Sequence, residues 1–389
     1  MKHRSAPTLL LPAALTLALA LAGCAANPPT LSQRWTQLQQ AQPRLHLREA
    51  AHQLGVSEAE LLASDANWQA TRLTSDARDI QALYERLAEL GRIKAVIRND
   101  DVMLERTGAL TPARRDEQGR VVPGTGLAGG PIAGLAGGPI DLRIGGVQWG
   151  SAFAVAQQGR DGKTLRSLQF FDQHGQAIHK IYLDNDEHIA AYERLVAEFR
   201  IAGQPAPLIA LPAPTQPPAA VRGTASAADV AQLRQAWTKL TDVHQFPRLL
   251  RELKLSREQA LQLIGDDSAW RISAQGLQLL MDDARARRQP IMAFVSQGGM
   301  TQIYSGMIDR SSNSGAWYEV LGEDFRLKVR SAAIDHGWVV RRPTDHGMVT
   351  SVEFYDAAGR QLVNFFSRRD RGQPETAQWR RMVEALPRS

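Results

Sequence analysis

The feature that most constrains this chain is that one folding unit is written in it twice. Arg166-Ser167-Leu168-Gln169-Phe170-Phe171-Asp172, followed by Gly175, matches Thr350-Ser351-Val352-Glu353-Phe354-Tyr355-Asp356, followed by Gly359, at an offset of 184. Trp35-Thr36 and Trp68 match Trp237-Thr238 and Trp270 at 202, and Ala95 and Gly108 match Ala293 and Gly306 at 198. The order is kept throughout, so residues 31–200 and 229–389 read as two copies of one unit. The shrinking offset gives the first copy extra residues. Some lie in the Gly-rich stretch 124–138, where residues 126–132 recur as 134–140. Pro131 and Pro139 follow those glycines where a phosphate-cradling loop needs Lys or Ser/Thr, so the stretch reads as a tolerant surface loop. Between the copies, residues 201–228 hold prolines 205, 207, 212, 214, 217 and 218 among alanines. Such a connector is extended and semi-rigid and lets the halves meet face to face.

Each copy opens with helices. Leu31, Trp35 and Leu38, then Val230, Leu233, Trp237 and Leu240, fall at helical spacing, and Ile80, Leu83, Leu87 and Leu90 form a stripe closed by Gly91. Strands follow over 92–110, 165–183, 290–308 and 349–367, interrupted by Asp100-Asp101, His174-Gly175 and Gly298-Gly299. Helices first and hairpins after predict an α+β class, a tandem repeat of two stacked units, each with N-terminal helices and a large antiparallel sheet.

A single cysteine, Cys24, excludes an intramolecular disulfide and any multi-cysteine metal site. The net charge of +6 favours anionic partners in general, yet no basic run, helix-turn-helix or zinc-finger spacing points to nucleic acid. Residues 1–24 have the parts of an export signal: Lys2 and Arg4, an apolar stretch from Leu9 to Ala22, and Leu21-Ala22-Gly23-Cys24, which matches a lipobox whose cysteine is acylated. The competing readings are a mis-chosen start codon and a short buried helix. Without HExxH, GxSxG or a Walker motif, hydrolase and nucleotide-binding chemistry have no support.

His244 stands out, in Thr241-Asp242-Val243-His244-Gln245-Phe246, where Asp242 can cap a following helix. An offset of 202 places Gln42 opposite it, so the duplicated scaffold does not demand the histidine. Taken alone, it is either a structural group at a helix start or a ligand. The sequence resembles the HemS/ChuS family of haem-degrading and haem-transfer proteins of Gram-negative haem uptake. The carriers are residues 241–246, Ile291-Met292-Ala293-Phe294-Val295, Trp338-Val339 through Arg342-Pro343-Thr344, Val349-Thr350-Ser351, Ser167 to Asp172 and Lys180-Ile181-Tyr182, in order from about residue 31 to the end.

The resemblance implies one haem, iron protoporphyrin IX, held between the halves. His244 matches the family's proximal iron ligand and Arg143 its distal, catalytically relevant arginine. Arg257, Arg342 and Arg369 fall where basic residues approach the propionates, and Phe294 where an aromatic lines the pocket. Imidazole is a standard axial haem ligand, and guanidinium suits both propionates and polar groups over the distal face. Departures from the pattern are Phe366 for a tyrosine, Leu104 for a first-copy histidine, Gly145 for an apolar pocket residue and Pro247 for an aromatic. The implied function is haem binding for transfer in iron acquisition. One alternative is oxidative haem cleavage, and a further one is a lipid-anchored protein of this fold that no longer binds haem. Expected partners are haem itself and a haem transporter, a downstream haem oxygenase or an electron donor. The family implies the cytoplasm, the lipobox a membrane-anchored periplasmic protein, and the sequence favours the latter.

Overall fold

The protein was analysed as a computed structural model, which describes residues 28–43, 45–64, 69–111, 117–118, 139–159, 162–203, 208–212, 226–242, 245–369 and 373–389. The first copy contains α1 (Leu31–Ala41), α2 (Leu47–Leu54), α3 (Glu58–Ser64), β1 (Ala70–Arg72), α4 (Ala77–Glu85), β2 (Arg92–Arg98), β3 (Val102–Ala109), β4 (Asp141–Ile144), β5 (Trp149–Gln158), β6 (Thr164–Asp172), β7 (Ala177–Leu183) and α5 (Ile189–Phe199). The second contains α6 (Ala227–Thr238), α7 (Gln245–Leu253), α8 (Arg257–Ile264), β8 (Ala269–Ser273), α9 (Gly276–Ala286), β9 (Ile291–Gln297), β10 (Met300–Gly306), β11 (Arg310–Ser314), β12 (Trp317–Gly322), β13 (Phe325–Arg330), β14 (His336–Thr344), β15 (Gly347–Tyr355), β16 (Gln361–Ser367) and α10 (Ala377–Glu384). Among the described residues no helix is long and apolar enough to cross a membrane.

Local chemistry sets the helix starts. Thr30 with Gln33, Ser226 with Asp229 and Ser256 with Gln259 form reciprocal capping boxes that satisfy orphan N–H groups at α1, α6 and α8. The expected stripe from Ile80 to Leu90 is broken at Arg86: α4 ends at Glu85, and Leu87–Leu90 form a tighter 3-10 turn. Gly91, at φ 60°, closes that turn against the His188 ring, where a Cβ would stand 2.1 Å from Nε2.

The strands form two antiparallel sheets, β1-β5-β6-β7-β2-β3-β13-β12-β11 and β4-β10-β9-β16-β15-β14-β8. With β11 and β12 set aside, the two orders are equivalent, and each ends on a strand donated by the other copy. Strand β4 of the first copy pairs with β10, Arg143 opposite Thr301, and β13 of the second pairs with β3, Lys328 opposite Met103. The two stacked units are therefore interlocked.

The inner faces pack together in one core drawn from both copies, including Ile93, Ala95, Ile97 and Leu104 with Ala293, Val295, Val352 and Phe365. A polar chain crosses this interface. Gln302 Nε2 donates to the carbonyls of Ala95 (3.2 Å) and Leu104 (3.4 Å), which turns its Oε1 towards His179 Nε2 at 2.8 Å. That fixes the proton on Nε2 and leaves Nδ1 to accept from the Tyr84 hydroxyl. Burial pushes the His179 pKa down to about 4, so the ring stays neutral. The outer face of each sheet carries a three-helix cap. Trp35, Leu61 and Leu62 of α1–α3 pack on Phe153, Val155 and Phe171, and Trp237, Phe246 and Leu261 of α6–α8 on Trp338, Val340 and Tyr355. Gln302→Leu, which strands the buried His179 N–H and removes two further hydrogen bonds to strand carbonyls, should lower stability by about 2–3 kcal/mol in urea unfolding. An unchanged midpoint would contradict the network.

Candidate functional site

Strand register decides which side chains share a face, because residues directly opposite in an antiparallel ladder point to the same side. On the second sheet Arg143 lies opposite Thr301, Thr301 opposite Ser296, and Phe294 opposite Ile303 and Asn364. Phe366 lies opposite Met292 and Ser351, Asn364 opposite Glu353, and Arg342 opposite Val349. Arg143, Phe294, Phe366, Glu353 and Arg342 thus share the outer face. Helices α6–α8 cover its β8-β14-β15 end. The β16-β9-β10-β4 end lacks that cap, and Met292, Phe294, Phe366, Thr301 and Arg143 are half-buried there. Phe294 and Phe366 meet edge to face with ring centroids 4.9 Å apart and form an aromatic floor.

A buried charge cluster separates the capped from the uncapped end. Glu353, fully buried, accepts from Arg257 Nε (2.7 Å), Tyr355 (2.8 Å) and Gln361 (2.8 Å) on Oε2. On Oε1 it accepts from Arg257 Nη2 (2.7 Å), Arg342 Nη2 (2.9 Å) and Ser351 (2.7 Å). Burial alone would raise its pKa, but the guanidiniums of Arg257 and Arg342 hold it well below the usual carboxylate range. Burial, aided by the charge of Arg257, lowers Arg342 to about 10 despite Glu353. Among the described residues, two guanidiniums against one carboxylate leave one positive charge uncompensated, and Arg342, only 3% exposed, keeps a buried Nε without an acceptor. Its guanidinium carbon lies 5.9 Å from the Phe366 ring centre and 5.6 Å from that of Phe246 on α7. This cluster therefore suits an anionic group entering over the aromatic floor.

Arg143 sits at the far edge of the same face, paired with Asp141 of its own strand and donating to the Leu142 carbonyl at 3.0 Å. Its strand is followed by Gly145, whose N–H donates to the Gly299 carbonyl at 2.8 Å. A Cβ on Gly299 would meet the Gly145 carbonyl oxygen at 2.7 Å, so the β9-β10 turn and the end of β4 approach as only glycine allows. Arg369 follows β16 and is half-buried. Leu104 is fully buried on the inner face, away from this surface. Pro247 is the third residue of α7, where the first turn tolerates it. His244, Cys24 and the Gly-rich stretch lie outside the described residues. The residues flanking His244 are tied down: Gln245 Nε2 donates to Thr241 Oγ1 (2.9 Å), its Oε1 accepts from Thr241 N (3.0 Å), and the Asp345 N–H donates to the Thr241 carbonyl (3.0 Å). Leu47 and Ala50 of α2 take the buried places of Phe246 and Leu249 of α7, an offset of 199. The local counterpart of residue 244 is thus Leu45, not Gln42.

The duplicated face is built differently. By the same register, Val96 stands for Phe294, Tyr182 for Phe366, Lys180 for Asn364, Gln169 for Glu353 and, across the helix starts, Glu58 for Arg257. Most of its charges are paired: Arg48 with Glu58 (3.0 Å) and Asp100, Lys180 with Glu58 (2.9 Å), and Lys328 with Glu319 (2.7 Å), while Lys94 lies over the Tyr182 ring, 5.6 Å from its centre. Among the described residues, only the second-copy face combines an aromatic floor with an uncompensated buried cation. Glu353 and Asp141 were not singled out from the sequence, although a glutamate inside the apolar run Val352–Tyr355 is a signal for a buried ion pair.

A titratable link lies behind the cluster. His336 Nε2 is 2.6 Å from Glu258, the neighbour of Arg257 on α8, and Nδ1 is 2.8 Å from Asp335, itself paired with Arg271 at 3.2 Å. The ring stacks on Tyr355 with centroids 5.6 Å apart. Burial disfavours the charged ring, but Glu258 and Asp335 outweigh it and raise the pKa above its ordinary value. The stabilisation is therefore complete below the unfolded-state pKa of about 6.5 and is lost as pH rises through the higher folded-state value. His336→Gln should remove that component from the pH dependence of the urea midpoint; identical profiles for variant and parent would contradict it.

Known proteins resemble this chain over most of its length. Residues 254–386 match the haemin-degrading HemS.ChuX domain, and residues 71–195 the haem utilisation ChuX/HutX domain. The hemin transport protein HmuS of Yersinia pestis is 36% identical over 357 residues, covering 92% of this chain and 97% of that protein. Holo-PhuS, a heme-binding protein from Pseudomonas aeruginosa, superposes with a TM-score of 0.78 at 35% identity, covering 92% of this chain and 99% of that one. ChuS, an E. coli heme oxygenase, gives 0.75 at 28% identity over 92% and 99% of the two chains. An ordered match of this extent, spanning both copies and their interlocked sheets, makes the chain a member of the HemS/ChuS family.

Proposed function

We propose that this protein binds one haem on the outer face of its second sheet and serves haem transfer in iron acquisition. The observation that carries the reading is the uncompensated buried charge of Arg257, Arg342 and Glu353 beside the Phe294–Phe366 floor, next to the helix that begins one residue after His244. In this reading His244 would supply an imidazole to the iron, Phe294 and Phe366 would exclude water from the porphyrin along the floor, and Arg342, with Arg257 behind it and Arg369 at the rim, would neutralise a propionate. When bound, the haem supplies a redox-active iron. Arg143, at the opposite edge, offers guanidinium donors to a polar group on the distal side, and Asp141 orients it there. That placement favours a second reading, oxidative haem breakdown with an external electron donor. Haem arriving from a transporter and leaving to an oxygenase belongs to the first reading. Attachment to a membrane through an acylated Cys24 is also proposed, supported by Leu21-Ala22-Gly23-Cys24.

His244→Ala should lose or strongly shift the Soret band of the haemin-loaded protein. His174→Ala, in a turn where Nδ1 contacts the Pro212 carbonyl at 2.7 Å, should leave it unchanged. An unchanged spectrum in the first variant would overturn the ligand assignment. Arg143→Ala should still bind haem and slow any reductant-driven loss of the Soret band by about 10–100-fold, as for one preorganised donor. Equal rates would remove Arg143 from breakdown chemistry.

A further inference from the structure

The cluster under α7 does more than carry charge. Arg257 presents its guanidinium 4.9 Å from the Phe246 ring centre and Arg342 at 5.6 Å, so two cations bracket the residue two places after His244. Phe246 is fully buried and meets Trp237 of α6 edge to face at 5.1 Å. Neither guanidinium is held by the helix that it supports. Both are held by Glu353, whose two oxygens take hydrogen bonds from Arg257, Arg342, Ser351, Tyr355 and Gln361, donors on α8, β14, β15 and the start of β16. One carboxylate on the sheet thereby sets the plane of both arginines, and through them the seat of the first turn of α7.

The duplicate shows that the scaffold itself does not require this carboxylate. At the equivalent place the first copy carries Gln169, buried, bonded through Nε2 to Ser167 at 3.1 Å and with Oε1 unpaired. There the carboxylate has moved to the helix as Glu58, under Lys180 and Arg48. The fold is the same in both copies. What differs is which layer holds the anion and whether two arginines are presented to the second helix of the cap.

We propose that Glu353 is the positioning residue of the proximal side: it orients Arg257 and Arg342 against Phe246 and so fixes the start of α7, the helix that follows His244 directly in the sequence. This rests on the reading of His244 as the iron ligand. Groups that orient a metal ligand from behind typically contribute 10–100-fold to metal affinity.

The test uses the full-length protein loaded with haemin, comparing parent, Glu353→Gln, Glu353→Asp and Tyr355→Phe. Glu353→Gln places at this site the residue that the first copy already accommodates. It should release haem to excess apomyoglobin about 10–100-fold faster, and the acid midpoint at which the histidine-ligated Soret band is lost should move to higher pH. Glu353→Asp, which keeps the charge, should recover much of both. A general loss of stability would lower the unfolding midpoint without moving the ligation midpoint of the folded protein. Tyr355→Phe removes a single hydrogen bond to Glu353 and should shift both readouts in the same direction by a few-fold, about 2–5-fold, which keeps the test open if Glu353→Gln fails to fold. Release rates and acid midpoints equal to the parent's, in a folded Glu353→Gln or, failing that, in Tyr355→Phe, would overturn the inference. If His244→Ala retains the parent's Soret band, the ligand assignment fails instead, and the two failures are told apart.

Discussion

The structure depends on the pairing of a four-residue strand with the wrong half of the molecule. Strand β4 leaves the first copy and completes the second sheet at β10, while β13 returns the exchange at β3. The exchange has two physical consequences. The inner faces of both sheets are joined into a single core, so neither copy closes its sheet alone. Arg143, a residue of the first copy, is also delivered to the outer face of the second, on the side of the aromatic floor away from α7. A site with one flank from each copy thus follows from backbone hydrogen bonding.

Duplication then permitted specialisation. The two outer faces began with the same strands, caps and register, yet beneath the helical cap one pairs its buried charges and the other leaves a cation in excess. Arg48, Lys180, Glu58 and Asp100 balance on the first face. Arg257, Arg342 and Glu353 do not balance on the second, and Phe294 and Phe366 replace Val96 and Tyr182 there. Removing one partner from a buried ion pair costs about 3–5 kcal/mol, so a buried excess charge persists where an anion joins it in the working state.

The elements that the sequence made legible are those governed by local pattern. The hairpins at Asp100-Asp101, His174-Gly175 and Gly298-Gly299 announced themselves by alternation and turn residues, and β2-β3, β6-β7 and β9-β10 lie where alternation put them. The exchange was not legible. Strand β4 is short, follows the Gly-rich insertion, and pairs with a strand more than 150 residues later, a contact that no local period encodes. Strand β11, polar and largely exposed, forms the edge of the first sheet and lacks an apolar alternation to read, although its neighbour β12 buries Tyr318 and Val320 in the core. At the site, Arg257 and Arg342 were found by resemblance, but their common partner was not, because a carboxylate shared by two arginines is visible only once three strands and a helix meet.

The central claim is that the second-copy face, and not its duplicate, is where haem sits. The most direct measurement is a crystal structure of the haemin-loaded protein. The account predicts iron bonded to His244, the macrocycle over Phe294 and Phe366, a propionate at Arg342, and Arg143 on the opposite side. A porphyrin seated instead on the first-copy face, against Met103 and Lys328, or bound without contact to Phe294 and Arg342, would contradict it.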